Sequence, residues 1–230
     1  MITDTQLADY CQDVYNNDET HVKQFYANRH CFAMGINDAD EQILVWRGTS
    51  TASDWITDFM ACYIDSEIGG VDKGFHDGPK YFCDPSNALL GPYIIKDKPL
   101  YITGHSLGAA EAIHTAAILA KRGYKNIAGV TVFACPAPGG PQIDDILTEA
   151  NIPVHIYRNR LDIVPHIPVP VLFPHWPYSH PKRIINLDVA PENNFLEDSY
   201  GIFAWHRLSL YRKGVFEYES RGKQGINLLT

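Results

Sequence analysis

The chain has 230 residues, 45% hydrophobic and 20% charged, with 19 Lys and Arg against 27 Asp and Glu for a formal net charge of −8. That length buries one sizeable core and is short for two, so a single domain over 1–230 is expected, and the composition excludes disorder, collagen-like repeats and coiled coil. The acidic balance argues against nucleic acid as a partner, because phosphate binding needs a basic surface.

The first twenty residues carry Asp4, Asp9, Asp13, Asp18 and Glu19 and have neither the basic start nor the apolar run of a secretory signal. No stretch reaches the ~18 apolar residues of a membrane span. A cytoplasmic location, or release by a route not visible in the sequence, is therefore expected, with no transmembrane segment. The five cysteines, Cys11, Cys31, Cys62, Cys83 and Cys135, are odd in number and lack CxxC spacing, which suggests neither a disulfide framework nor a zinc site.

Leu7, Tyr10, Cys11, Val14 and Tyr15 recur at helical spacing and predict an amphipathic helix between Thr3 and Asn17, capped by Thr3 or Asp4. Cys31–Ile36 and Ile43–Trp46 are short β-rich runs joined by a polar hexapeptide, which reads as a hairpin. Between Ala52 and Ile64, the residues Trp55, Ile56, Phe59, Met60, Tyr63 and Ile64 share one helical face, with Asp54, Thr57 and Asp58 polar; Gly69-Gly70 beyond would suit a hinge. From Leu100 the order is strand to Thr103, tight turn at Gly104–Gly108, Ala-rich helix to Arg122 and strand at Val130–Ala134. That βαβ unit requires a parallel crossover. Val154–Arg158 and Arg183–Leu187 add strands, so the expected fold is α/β: a mostly parallel mixed sheet, an N-terminal antiparallel hairpin and helices on both faces. His166–Pro181 holds five of the 15 prolines among Phe173, Trp176 and Tyr178, and reads as a rigid loop or an apolar wall beside a binding site.

Gly104-His105-Ser106-Leu107-Gly108 is a G-x-S-x-G between strand and helix, the context of a nucleophile elbow. The turn lifts the Ser106 hydroxyl above the sheet edge, and the Leu107 N–H, opening the following helix, is free for an oxyanion. A serine hydroxyl needs a base, itself oriented by an acid. Asp162 follows a predicted strand and so lies on the elbow's edge of the sheet. Six histidines follow Ser106, at 114, 155, 166, 175, 180 and 206, and spacing alone does not choose among them. His105 should point away from Ser106 and reads as structural. His166, His175 and His180 match no standard zinc spacing, so no metal and no cofactor is expected.

Four blocks and a final histidine, in order, resemble the class 3, or fungal-type, lipases of the α/β-hydrolase superfamily. They are Val45–Thr49 with Asp54–Asp58, Lys73–Phe75, Thr103–Ala109, Asp162–His166 and His206, spanning nearly the whole chain. The resemblance implies an α/β-hydrolase fold and a serine hydrolase cleaving carboxylic esters of lipids, acylglycerols first, with Ser106 as nucleophile, Asp162 as acid and His206 as base; a short-chain carboxylesterase, a phospholipase A1 or a feruloyl-type esterase on the same triad, or a non-catalytic lipid-binding relative, are the alternatives. It implies Thr49 beside Leu107 in the oxyanion hole, Asp58 supporting Thr49, and a helical lid over about 50–70 carrying Trp55, Ile56, Phe59 and Met60. The partner it implies is a lipid or small ester, met in solution or at a lipid–water interface.

Overall fold

In a computed structural model, residues 1–27, 29–49, 62–87, 93–167, 178–191 and 201–222 are described. The lid and supporting residues Trp55, Ile56, Asp58, Phe59 and Met60, and residues 168–177 of the proline-rich segment, lie outside them.

Helix α1 (Asp4–Asn16) begins in a capping box: Gln6 N–H donates to Thr3 Oγ1 (3.1 Å) while Gln6 Oε1 accepts from Thr3 N–H (2.9 Å). It ends at Asn17, whose φ of 54° is left-handed. Three strands follow, β1 (Lys23–Ala27), β2 (His30–Ile36) and β3 (Gln42–Trp46), all paired antiparallel. The sequence reading missed β1, whose Lys-Gln-Phe-Tyr-Ala has the mixed polarity of an edge strand rather than an apolar run.

Tyr63 and Ile64 overturn part of the lid reading. They belong to β4 (Tyr63–Ser66), which pairs antiparallel with β5 (Gly69–Asp72) in a separate two-stranded sheet. The helical spacing over Ala52–Ile64 therefore cannot extend to them, and 63–70 is not helical. Gly69 and Gly70 open β5 and pair with Ser66 and Asp65. Gly69 has φ +101°, and a Cβ on Gly70 would stand 1.6 Å from the Tyr63 hydroxyl.

Helix α2 (Lys73–Cys83) is capped by Asp72, whose carboxylate accepts from Gly74 N–H at 2.8 Å. Then come β6 (Leu100–His105), α3 (Leu107–Lys121), β7 (Ile127–Phe133), α4 (Gln142–Glu149), β8 (Val154–Asn159), β9 (Ile184–Leu187) and α5 (Leu208–Ser220). The large sheet runs β1-β2-β3-β6-β7-β8-β9, antiparallel up to β3 and parallel from β3 onward. This is the α/β fold expected.

Strand alternation distributes the core. Phe32, Leu44, Trp46, Ile102, Val130, Val132 and Ile156 pack with α2, α3 and α4. The alternate residues Ala33, Ile43, Val45, Phe133 and Tyr157 pack with α1 and α5. Both faces are covered, so β3 is buried throughout and reads as an uninterrupted apolar run. Parallel strands end on one edge, and Thr49, Ser106 and Asp162 follow the ends of β3, β6 and β8 there.

Candidate active site

Ser106 links β6 to α3 with φ 61° and ψ −128°, a conformation that costs a side-chain-bearing residue about 1–3 kcal/mol. It is held by its N–H to Phe133 O (3.0 Å) and by Ala109 N–H to its own carbonyl (3.0 Å). The elbow demands close backbone approach: a Cβ on Gly108 would lie 2.2 Å from the Trp46 carbonyl. That glycine lets α3 sit against the end of β3 and so sets the segment from Arg47 to Thr49 beside the serine.

His206 Nε2 lies 2.8 Å from Ser106 Oγ, and its Nδ1 lies 2.8 Å from Asp162 Oδ2. Ser106 is 2% exposed, Asp162 1% and His206 5%, which keeps water from competing for these bonds. Of the six histidines after Ser106, the structure brings His206 to the serine. His114 instead approaches the Pro138 carbonyl, His155 the Asp4 carboxylate and His180 the Pro165 carbonyl. His206 ends a 3-10 turn (Gly201–His206) just before α5.

Asp162 is over-supplied with donors. Its Oδ2 accepts from His206 and from the Tyr211 hydroxyl (2.6 Å), and its Oδ1 accepts from Val164 N–H (3.0 Å). Burial alone would raise its pKa; the adjacent His206 and these hydrogen bonds outweigh it, so the pKa is lowered and the carboxylate stays charged. Tyr211, on α5 and fully buried, also accepts from Asn159 N–H (2.9 Å), tying the acid's loop to the end of β8. The sequence reading missed it, because a tyrosine in a C-terminal amphipathic helix carries no motif.

Thr49 follows the end of β3, and its Oγ1 is buried with no hydrogen-bond partner among the described residues. Leu107 opens α3, so its N–H has no acceptor within the helix. The Thr49 and Leu107 segments flank Ser106 from β3 and from α3. His105 turns away from Ser106: its Nε2 is 2.9 Å from the His206 carbonyl and its Nδ1 3.1 Å from the Tyr15 hydroxyl.

Beneath the elbow, the structure holds a polar cluster the motifs gave no sign of. Glu111 on α3 is fully buried and hydrogen-bonds His30 of β2, and burial raises its carboxyl to about 7. His76 and His114 meet edge to face at 5.5 Å on α2 and α3. Among the described residues no group of three His, Cys, Asp or Glu could hold a metal ion, and no helix is long and apolar enough to cross a membrane.

The sequence pattern of the family Lipase (class 3) matches residues 43–172. Among curated proteins the chain is 32% identical over 124 residues to phospholipase A1-IIdelta of Arabidopsis thaliana, covering 52% of this chain and 29% of that protein. It is 31% identical over 144 residues to a lipase of Rhizomucor miehei, covering 57% and 39%. It is 26% identical over 217 residues to phospholipase A1-II 1 of Oryza sativa subsp. indica, covering 80% and 51%. The chain thus spans about half or less of these relatives' length. Among solved structures, the Rhizomucor miehei lipase propeptide complex superposes with a TM-score of 0.64 at 20% identity, covering 90% of this chain and 76% of that one. A triacylglycerol lipase described as having a serine protease triad as its catalytic centre gives 0.60 at 20% identity, covering 90% and 89%. At that identity the likeness carries the fold.

Proposed function

The chain belongs to the class 3 lipase family, and on that premise we propose that it is a serine hydrolase of lipid carboxylic esters, acylglycerols foremost. The observation that carries this reading is the continuous Ser106–His206–Asp162 hydrogen-bond chain, closed at 2.8 Å on both links, with Ser106 held in a left-handed elbow.

In the proposed reaction His206 Nε2 takes the Ser106 proton as Oγ attacks the ester carbonyl. Asp162 holds Nδ1–H and stabilises the imidazolium. The carbonyl oxygen becomes an oxyanion that accepts from the Thr49 and Leu107 N–H groups and the Thr49 hydroxyl, each donor contributing about 10²–10³ in rate. Collapse expels the alcohol, which His206 protonates, leaving acyl-Ser106. Water, deprotonated by His206, then releases the acid. No step calls for a metal or an organic cofactor.

The test is labelling of Ser106 by a fluorophosphonate, together with hydrolysis of a chain-length series of p-nitrophenyl and glycerol esters below and above their solubility limits. Labelling lost in Ser106→Ala, with the fold retained, supports the reading. An unlabelled, inactive native chain overturns it. A second substrate reading, phospholipid cleavage at the sn-1 ester, is favoured by the rice relative's 80% coverage of this chain. Fatty acid release from phosphatidylcholine vesicles outpacing release from triglyceride emulsions would select it.

A further inference from the structure

Tyr15 sits in the last turn of α1, and its hydroxyl is in contact with two parts of the site at once. It lies 3.1 Å from His105 Nδ1 and packs directly against Gly48, where a Cβ would lie 2.3 Å from it. His105 in turn reaches the His206 carbonyl through Nε2 at 2.9 Å. These contacts leave no freedom in who donates. A carbonyl only accepts, so the proton of a neutral His105 must sit on Nε2. That makes Nδ1 an acceptor, and the Tyr15 O–H must donate to it. One directed chain results: Tyr15 O–H to His105 Nδ1, and His105 Nε2–H to the His206 carbonyl, with the Tyr15 hydroxyl seated against Gly48.

His105 stays neutral because burial first, and the neighbouring His206 second, hold its imidazole down at about 3. Its ring is packed at 4.8 Å from His206, 5.7 Å from Tyr15 and 5.9 Å from Tyr211. The close fit also explains the glycine in Arg47-Gly48-Thr49. A Cβ on Gly48 would lie 2.3 Å from the Tyr15 hydroxyl and 2.6 Å from the His105 carbonyl.

We propose that Tyr15 is a positioning residue that, through His105, holds the oxyanion loop at Gly48–Thr49 and the base segment at His206 in register with Ser106. The proposal rests on the ester-hydrolase reading above. Its reasoning is geometric: oxyanion donor, nucleophile and base arrive from the ends of three distant segments, and a misplacement of about 1 Å among them costs about 10² in rate. Backbone-to-backbone contact sets the loop against the elbow, but the His206 carbonyl reaches the elbow through His105, whose tautomer that carbonyl sets and whose ring Tyr15 holds by donating to Nδ1.

The experiment compares native enzyme with Tyr15→Phe, which keeps the ring and removes the hydroxyl, using p-nitrophenyl butyrate and imidazole 15N NMR of selectively labelled protein. The expected result is kcat lowered about 10-fold, a partial misplacement on the same scale, with KM within twofold and far-UV circular dichroism unchanged. The native spectrum should show His105 protonated on Nε2, and the Nδ1 resonance should move downfield in the variant as it loses its donor. Native kcat retained by Tyr15→Phe, or His105 protonated on Nδ1 in the native enzyme, overturns the positioning role alone. A native chain that neither turns over ester nor takes a fluorophosphonate overturns the hydrolase reading and this role with it.

Discussion

Replacing Tyr211 with Phe isolates the cost of holding the buried Asp162 carboxylate. The substitution removes one hydroxyl and leaves the ring in the core, so no cavity term arises. Asp162 loses the 2.6 Å bond from that hydroxyl, a charge-assisted bond contributing about 1.5–3 kcal/mol. Asn159 N–H loses its acceptor at a site with no exposed surface, which costs about 1–3 kcal/mol. Together the loss is about 3–5 kcal/mol. At about 2–4 °C per kcal/mol for a chain of this size, Tm should fall by about 10 °C. The pH dependence has a definite sign. Asp162 has a lowered folded pKa, so its stabilisation is present above the unfolded value near 3.8 and is lost as pH falls through the folded value. The gap between native and variant should therefore be full at pH 7 and shrink below about pH 4. Urea unfolding read by tryptophan fluorescence measures it, and a double-mutant cycle with Asp162→Asn apportions it. A loss under about 1 kcal/mol, or no coupling in the cycle, would refute the reasoning, because it would mean that the hydroxyl is incidental to the acid.

Gly48→Ala places a methyl against the Tyr15 hydroxyl and the His105 carbonyl, neither of which can yield without moving the elbow. Displacing one proposed oxyanion donor predicts kcat/KM down about 10²-fold on p-nitrophenyl butyrate, with stability lowered by about 1–3 kcal/mol from the overpacking. His76, His105 and His114 are pushed down, mainly by burial, to about 4, 3 and 3. They stay neutral in the folded chain while the unfolded chain protonates below about 6.5, so stability present above that pH is lost as pH falls. Glu111 and Asp72, raised by burial to about 7 and 6, bind protons in the folded state over the same range and offset about half. The unfolding free energy from urea titrations should consequently decline between pH 6.5 and 5 by about 1–2 kcal/mol per pH unit. Glu111→Gln tests the opposite sign. A raised carboxyl loses its stabilisation as pH rises through about 7, so the variant should gain on native protein by up to about 3 kcal/mol between pH 5 and 8.

The elements read from the sequence are those whose residues carry a period or a punctuating glycine. α1 announces itself through Thr3 and a helical stripe, and β6-turn-α3 through Gly104 and Gly108 between apolar runs. Edge strand β1 and the β4–β5 hairpin are short and half polar, and Tyr63 and Ile64 fit a helical face as well as a strand, so neighbouring Trp55–Met60 drew them into the wrong element. For the site, Ser106 is legible because its elbow constrains five consecutive residues. His206 needed the family resemblance, since six histidines satisfy spacing equally. Tyr15, Tyr211 and the His30–Glu111 pair are invisible to motif reasoning: each acts through a partner 49 or more positions away, and only the folded chain supplies that neighbour.

Helix α1, which brings Tyr15 to the site, is anchored at its other end across nearly the whole chain. Asp4 N–H and the Thr5 hydroxyl bond Glu219 on α5, a separation of 215 residues for Asp4, while the Asp4 carboxylate accepts from Thr131, His155 and Tyr157 at 2.8 Å each. Closing a loop of that length costs about 5 kcal/mol of chain entropy before any of these bonds can form. Helix α1 therefore waits for α5, the later-made of the two. In refolding, helical circular dichroism should return first and esterase turnover only after α1 and α5 have met, so that competence is a late kinetic event separate from the appearance of secondary structure.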